Sequence, residues 1–284
     1  MSTCFTRLPQ KTKLEIFTIN KLSINIIIEN SSSPPNSNMS YSSKLSSTVL
    51  LLSWALLLRT SLGADPLSYV CSNPQNFTAN TPFDSNLKTL ITILTYKTPL
   101  TGFGLASIGQ NKNQKAYGLS LCRGDVSPSD CETCVSDAIT GLLKRCSYNK
   151  GAIIWYDNCL FKYSDQDFFG RIDNANKLHS FNVQNVSDPD AFNYKTKELL
   201  SRLAEEAHAN PNMYAAGEAN LGESKNMTVY GLTQCTRDLS SEDCKKCLDD
   251  LVGELPNCCN GKRGGRVVGG SCNVRYEIYP FFKV

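Results

Sequence analysis

Five cysteines occur twice in one register. Cys122, Cys131, Cys134, Cys146 and Cys159 return as Cys235, Cys244, Cys247, Cys259 and Cys272, each 113 positions further on. The surrounding sequence returns with them: YGLSLCRGDVSPSDCETCVSDAI from Tyr117 parallels YGLTQCTRDLSSEDCKKCLDDLV from Tyr230. Unrelated cysteines do not keep one offset over five positions, so the chain carries an internal duplication. A period this long, in two copies, describes a pair of domains rather than a solenoid. We place the copies at residues 66–165 and 177–284, joined by a polar linker at 166–176, and a length of about 100 residues each is ordinary for a domain.

The chain of 284 residues has 13 cysteines, an odd number. Its N-terminal part accounts for the odd one. From Met39 onward, Lys44 supplies a short positive region, Val49 to Leu58 form an apolar run too short to cross a bilayer comfortably, and small residues follow at Ser61, Gly63 and Ala64. A cleavable secretory signal is built this way. Residues 39–64 therefore read as a signal peptide cleaved near Ala64, with an N-terminal membrane anchor as the competing reading. Residues 1–38 read as an extension foreign to the natural protein, which would then start at Met39. Removing residues 1–64 takes Cys4, six of the 29 basic residues (Arg7, Lys11, Lys13, Lys21, Lys44, Arg59) and two of the 26 acidic ones (Glu15, Glu29). What remains has 12 cysteines and 23 basic against 24 acidic residues, a formal charge of −1. Such a chain has no electrostatic footprint for nucleic acid or anionic membranes, and no stable membrane insertion is expected of it. With 41% hydrophobic and 19% charged residues it is not a generally disordered chain either.

Within each copy the patterns repeat. Leu87, Leu90, Ile91 and Leu94 recur at helical spacing after Asn86, as do Leu199, Leu200 and Leu203 in the second copy. A second helix follows the first motif cysteine: Ser127 or Ser129 can cap it, Pro128 suits its first turn, and Cys131, Cys134, Val135, Ile139 and Leu142 form its buried stripe. Strand-like segments come next, AIIWYDNCLFKYS from Ala152 and RVVGGSCNVRYEIYPFF from Arg266, rich in β-branched and aromatic residues. The expected fold class is α+β: tandem domains, each with two helices packed on an antiparallel sheet of about five strands and stapled by disulfides.

Two Cys-x-x-Cys steps, Cys131/Cys134 and Cys244/Cys247, invite a zinc reading. No second compact pair of ligands accompanies either, and the only histidines are His179 and His208. With an export signal, disulfides are favoured over a metal, and a thioredoxin-like role is weak because a cysteine nine positions earlier offers each motif a structural partner. Spacing alone leaves open all fifteen connectivities of six cysteines. No Ser/His/Asp or Cys/His motif stands out, and the Gly-rich GKRGGRVVGG from Gly261 lacks the Lys-Ser/Thr ending of a phosphate loop, so it reads as a tight loop and hairpin. No cofactor, no metal and no enzymatic activity are expected.

Cys-x8-Cys-x-x-Cys in duplicate, with YGL, CRGDVS and the terminal SCNVRYEIYPFF, strongly resembles the plant cysteine-rich repeat secretory proteins. Their domain is homologous to ginkbilobin, an antifungal, mannose-binding seed protein, and also forms ectodomains of receptor-like kinases and plasmodesmata-located proteins. The resemblance implies bridges Cys71–Cys146, Cys122–Cys131 and Cys134–Cys159 in the first domain, and Cys235–Cys244 and Cys247–Cys272 in the second. Each such bridge is typically worth about 2 to 4 kcal/mol. The second copy departs from the pattern, since Phe181 stands where the first has Cys71 and Cys259 loses its expected partner. Cys258 lies beside it, leaving a vicinal bridge, two thiols or an intermolecular link as the alternatives.

The resemblance also implies a sugar site: an Asn just after the first cysteine position, an Arg seven residues past the fourth and a Glu five past the last. The first copy has Ser72, Ile153 and Ser164 there, so the site is lost; the second has Asn182, Arg266 and Glu277. Carboxylate, guanidinium and amide together match the donors and acceptors of sugar hydroxyls. Strand alternation puts Arg275, Glu277 and Tyr279 on one face, which would leave Glu277 accessible. The competing reading is a cross-strand salt bridge between Arg266 and Glu277 about a turn near Gly270. Asn76, Asn185 and Asn226 lie in glycosylation sequons. Two functions are thus expected to compete: a secreted, lectin-like defence protein that binds a mannose-type glycan, or an apoplastic module that contacts a cell-surface protein.

Overall fold

The structure, a computed structural model, is described over residues 3–7, 65–221 and 227–283. The expected signal peptide at 39–64, most of segment 1–38 and the sequon at Asn226 lie outside the described residues. One short strand, β1 (Thr3–Arg7), comes first. The first repeat then runs β2 (Ser68–Asn76), α1 (Pro82–Thr101), β3 (Phe103–Ile108), β4 (Ala116–Cys122), α2 (Pro128–Arg145), β5 (Asn149–Trp155) and β6 (Cys159–Ser164). The second repeats that order: β7 (Lys177–Asn182), α3 (Pro189–Ala209), β8 (Tyr214–Asn220), β9 (Thr228–Cys235), α4 (Ser241–Cys259), β10 (Gly264–Gly269) and β11 (Cys272–Glu277).

The sheets are ordered β2-β5-β6-β4-β3 and β7-β10-β11-β9-β8, antiparallel throughout, and the second gains β1 as a parallel sixth strand beside β7. The expected α+β class, two helices on a five-stranded sheet in each repeat, is the observed one. Local chemistry sets the helix starts. Thr81, Ser127, Asp188 and Ser240 each accept a hydrogen bond from a backbone N–H of the first turn, and Pro82, Pro128 and Pro189 occupy the first position of their helices. Gly102, at φ 75°, closes α1 in the left-handed conformation.

Each helix pair covers one face of its sheet. Leu90 and Leu94 of α1 lie on Gly118, and Leu199 and Leu203 of α3 lie on Gly231; a Cβ on Gly118 would come within 2.7 Å of Leu90, and one on Gly231 within 2.9 Å of Leu203. The bridges tie helices to strands: Cys71–Cys146, Cys122–Cys131 and Cys134–Cys159 in the first repeat, Cys235–Cys244 and Cys247–Cys272 in the second. Their Cα atoms lie between 5.4 and 6.1 Å apart, the ordinary range for a disulfide. Cys258 and Cys259 form a vicinal bridge. Phe181 stands opposite Gly265 in the sheet as Cys71 stands opposite Ala152, so in the second repeat an aromatic side chain takes the place of a cysteine.

The opposite faces of the two sheets meet. Leu119, Leu121, Ile153, Trp155 and Leu160 of the first repeat join Leu178 and Val268 of the second in one buried cluster. Two hydrogen bonds cross it: the Trp155 indole donates to the carbonyl of Gly269 at 2.9 Å, and the Gln234 amide donates to the carbonyl of Cys122 at 3.0 Å.

Candidate functional site

Polar groups gather at one margin of this inter-repeat contact. Asp157, in the turn between β5 and β6, accepts from Arg266 Nη1 at 2.8 Å and from Arg275 Nη1 at 3.1 Å, both reaching across from the second repeat. Arg266 Nε donates to Asn273 at 3.1 Å. Arg275 donates through Nε and Nη2 to Glu277 at 3.2 and 3.0 Å, and the Phe281 ring stacks on its guanidinium at 4.1 Å. Arg123 holds Asp125 in a two-pronged contact of 2.6 and 2.9 Å and lies 3.8 Å from Asp157. The C-terminal segment closes the cluster, where the backbone N–H of Lys283 donates to Asp125 at 2.9 Å.

Burial works against charge on Arg123, but its hydrogen bonds to Asp125 and the fields of Asp125 and Asp157 outweigh it, and its pKa lies above the ordinary value. Burial likewise pushes the Asp125 carboxyl up. The Arg123 hydrogen bonds and the Lys283 N–H more than reverse this, and the group stays ionised to unusually low pH. The cluster thus pairs three arginines with three carboxylates in a tight space; the adjoining crevice, about 40 Å³ and lined by Arg123, Trp155, Asp157 and Arg266, holds no more than a few water molecules.

Asn182, Arg266 and Glu277 fall in this region and share a sheet face. Glu277 stands opposite Gly264, and Asn182 follows Phe181, the neighbour of Gly265, which puts Asn182 level with Gly264 on the other side. The Glu277 carboxylate lies over Gly264, where any side chain would meet it. Asn182 is half-buried and accepts from the backbone N–H of Gln184. The accessibility expected for Glu277 is not found. Arg266 and Glu277 are each only 6% exposed, because their face of the sheet is the one that docks on the first repeat and is closed by the C-terminal segment. The register also differs from the expected one, since Arg266 stands opposite Arg275. In the first repeat Ile153 takes the place of Arg266 and belongs to the apolar inter-repeat cluster. Asp157, Asp125, Asn273 and Phe281 escaped sequence reasoning, for their roles depend on side chains from the other repeat or from another strand.

Of the sequons within the described residues, Asn76 and Asn185 are both exposed. Among the described residues no group of three or more His, Cys, Asp or Glu side chains is placed to hold a metal, and no helix is long and apolar enough to cross a membrane. One constellation imitates a hydrolase triad on the surface: His208 lies 2.9 Å from Ser241 Oγ and 3.0 Å from Glu205. Ser241 Oγ also lies 2.8 Å from the carbonyl of His208, so that carbonyl and the imidazole compete for its single hydroxyl proton.

Known proteins share both the fold and the duplicated pattern. The sequence matches the salt stress response/antifungal family over residues 70–166 and again over 179–279. An antimicrobial ginkbilobin-2-like protein of Castanea crenata is 57% identical over 241 residues, covering 84% of this chain and 98% of that protein. Cysteine-rich repeat secretory protein 38 of Arabidopsis thaliana is 50% identical over 242 residues, covering 84% and 94%. The crystal structure of the tandem DUF26 ectodomain of the Arabidopsis thaliana cysteine-rich receptor-like protein PDLP8 superposes with a TM-score of 0.66 at 26% identity, over 77% of this chain and all of that one. Its counterpart from PDLP5 gives 0.64 at 27%. The doubled cysteine register, the two helix-covered sheets and these matches have one common meaning: the chain belongs to the salt stress response/antifungal family and carries two copies of its domain.

Proposed function

We propose that this chain is a secreted, non-enzymatic recognition protein of plant defence or stress response, working in the apoplast as one two-repeat body. The names of its relatives, antimicrobial in one case and secretory in the other, support the setting. The observation that carries the mode of action is the burial of Arg266 and Glu277 beside Asp157. In this reading the two residues clamp the repeats together, and an outer surface meets the partner, for instance a cell-surface protein. A second reading has its own support: Asn182, Arg266 and Glu277 share a face around the bare backbone of Gly264, the chemistry a mannose-type glycan requires. A glycan at that site would have to displace the Phe281 segment or the Asp157 contact. Glycosylation at Asn76 and Asn185 accords with export.

One comparison separates the readings. Arg266→Ala and Glu277→Ala are titrated with mannose and a high-mannose oligosaccharide by calorimetry, and melted in parallel. The clamp predicts a lower melting temperature in both variants and the same glycan response as the parent. Loss of a parental glycan response, with melting unchanged, establishes the sugar site and defeats the clamp.

A further inference from the structure

The second repeat contains a cavity of about 160 Å³ on the helix side of its sheet, between α3 and α4. Val252, Leu255, Pro256 and the ring of Tyr276 supply apolar wall, and Tyr194, Lys197 and Pro256 are its exposed members. Thr196 also lines it. Its side chain is 4% exposed, and its hydroxyl oxygen is buried with no hydrogen-bond partner. Leaving a buried hydroxyl unpaired costs about 1 to 3 kcal/mol, so the site favours an occupant able to pair with it.

The first repeat shows how the space arises. Leu90 and Leu94 lie on Gly118 as Leu199 and Leu203 lie on Gly231, which makes Leu87 the counterpart of Thr196. The cysteine register makes Ile139 and Leu143 the counterparts of Val252 and Pro256. Leu87 and Ile139 are buried in the core of the first repeat, and Leu143 packs against it. Three apolar side chains are thus replaced by smaller or shorter ones, and one of the two leucines gives way to a residue with a hydroxyl. The change is more specific than a packing defect, for Val or Ala at position 196 would have opened the same space without adding a polar group.

We propose that this cavity is a binding site for a small phenol, a single aromatic ring carrying a hydroxyl. The volume is close to the roughly 150 Å³ that accommodates one benzene ring in an apolar protein cavity. The ring lies against Val252, Leu255 and Tyr276, and the phenolic hydroxyl pairs with Thr196 Oγ1. Arg266 and Glu277 occupy the other face of the sheet, so occupancy of the cavity is separable from any binding at the inter-repeat cluster.

Phenol and toluene, nearly equal in shape, are titrated into the full oxidised chain by calorimetry, with backbone amide NMR shifts to locate them. The expected result is phenol bound about five- to tenfold more tightly than toluene, as one net hydrogen bond allows, with shifts confined to residues 193–197, 252–259 and 276. Thr196→Val keeps the shape and removes the hydroxyl; it should abolish the preference and retain toluene. Thr196→Leu, which restores the residue of the first repeat, should exclude both. Binding of neither probe by the parent, shifts elsewhere, or an undiminished phenol preference in Thr196→Val would each overturn the proposal.

Discussion

Asp125 and Asp173 show how much single carboxylates matter where the repeats meet. Asp173, from the segment joining the repeats, is pushed up by burial but brought lower still by the field and hydrogen bond of Lys162 at 2.6 Å and by the Asn176 amide. Asp125 is lowered by Arg123 and the Lys283 N–H against a similar burial effect. Both folded values therefore lie below the unfolded one, near pH 4. Their stabilisation is complete above that pH and is lost as the pH falls through the folded values. The urea midpoint, followed by circular dichroism, should hold steady from pH 7 to 5 as far as these groups decide it and decline below about pH 4. Asp173→Asn should lower the midpoint at pH 6 and shrink the acid decline; an unchanged acid slope would break the link. At this scale the sequence announced residue types and faces, and the shared face of Asn182, Arg266 and Glu277 follows from strand alternation. It could not announce coverage, because Asp157 lies 109 positions before Arg266 and carries no local sign of its partner.

The helices were the most legible elements, because their signals are local. Ser127 and Pro128 mark the start of α2, and Cys131, Cys134, Val135, Ile139 and Leu142 are all buried as their spacing required. The edge strands β3 and β8 were not legible. FGLASI and YAAGEAN carry few β-branched residues and owe their pairing to β4 and β9. The glycines of β9 and α4 test the packing with opposite signs. Gly231 lies under Leu199 and Leu203, so Gly231→Ala forces the helix off the sheet and should cost about 1 to 3 kcal/mol. Gly253 is exposed within α4, and a Cβ there meets nothing within 4 Å, so Gly253→Ala should stabilise by about 0.4 to 1 kcal/mol. Chemical denaturation of the two variants beside the parent measures both; a Gly231→Ala protein as stable as the parent would contradict the close approach.

The duplication was legible from cysteines alone, yet the docking of its halves was not, although the signal was present. Ala152 to Trp155 and Val267 to Val268 are unbroken apolar runs, where a sheet with one solvated face alternates. They do not alternate because one side meets helices and the other meets the partner repeat: Ile154 and Val267 belong to helix-side cores, and Ile153, Trp155 and Val268 to the inter-repeat cluster. Fusion of two repeats thus converts the outer face of each sheet into core, and Arg266 and Glu277 are buried by that fusion. Trp155 reports on it directly, since its indole is buried against Gly269 and the chain has one other tryptophan, Trp54. Val268→Asp, in a Trp54→Phe background, places an unpaired carboxylate in the inter-repeat cluster, a cost the contact cannot absorb. Each repeat keeps its bridges and its helix-side core. The expected outcome is a red-shifted Trp155 emission with far-ultraviolet dichroism largely kept, and urea transitions by the two probes that coincide in the parent and separate in the variant. Emission that stays blue in Val268→Asp would show that the repeats hold together without this cluster.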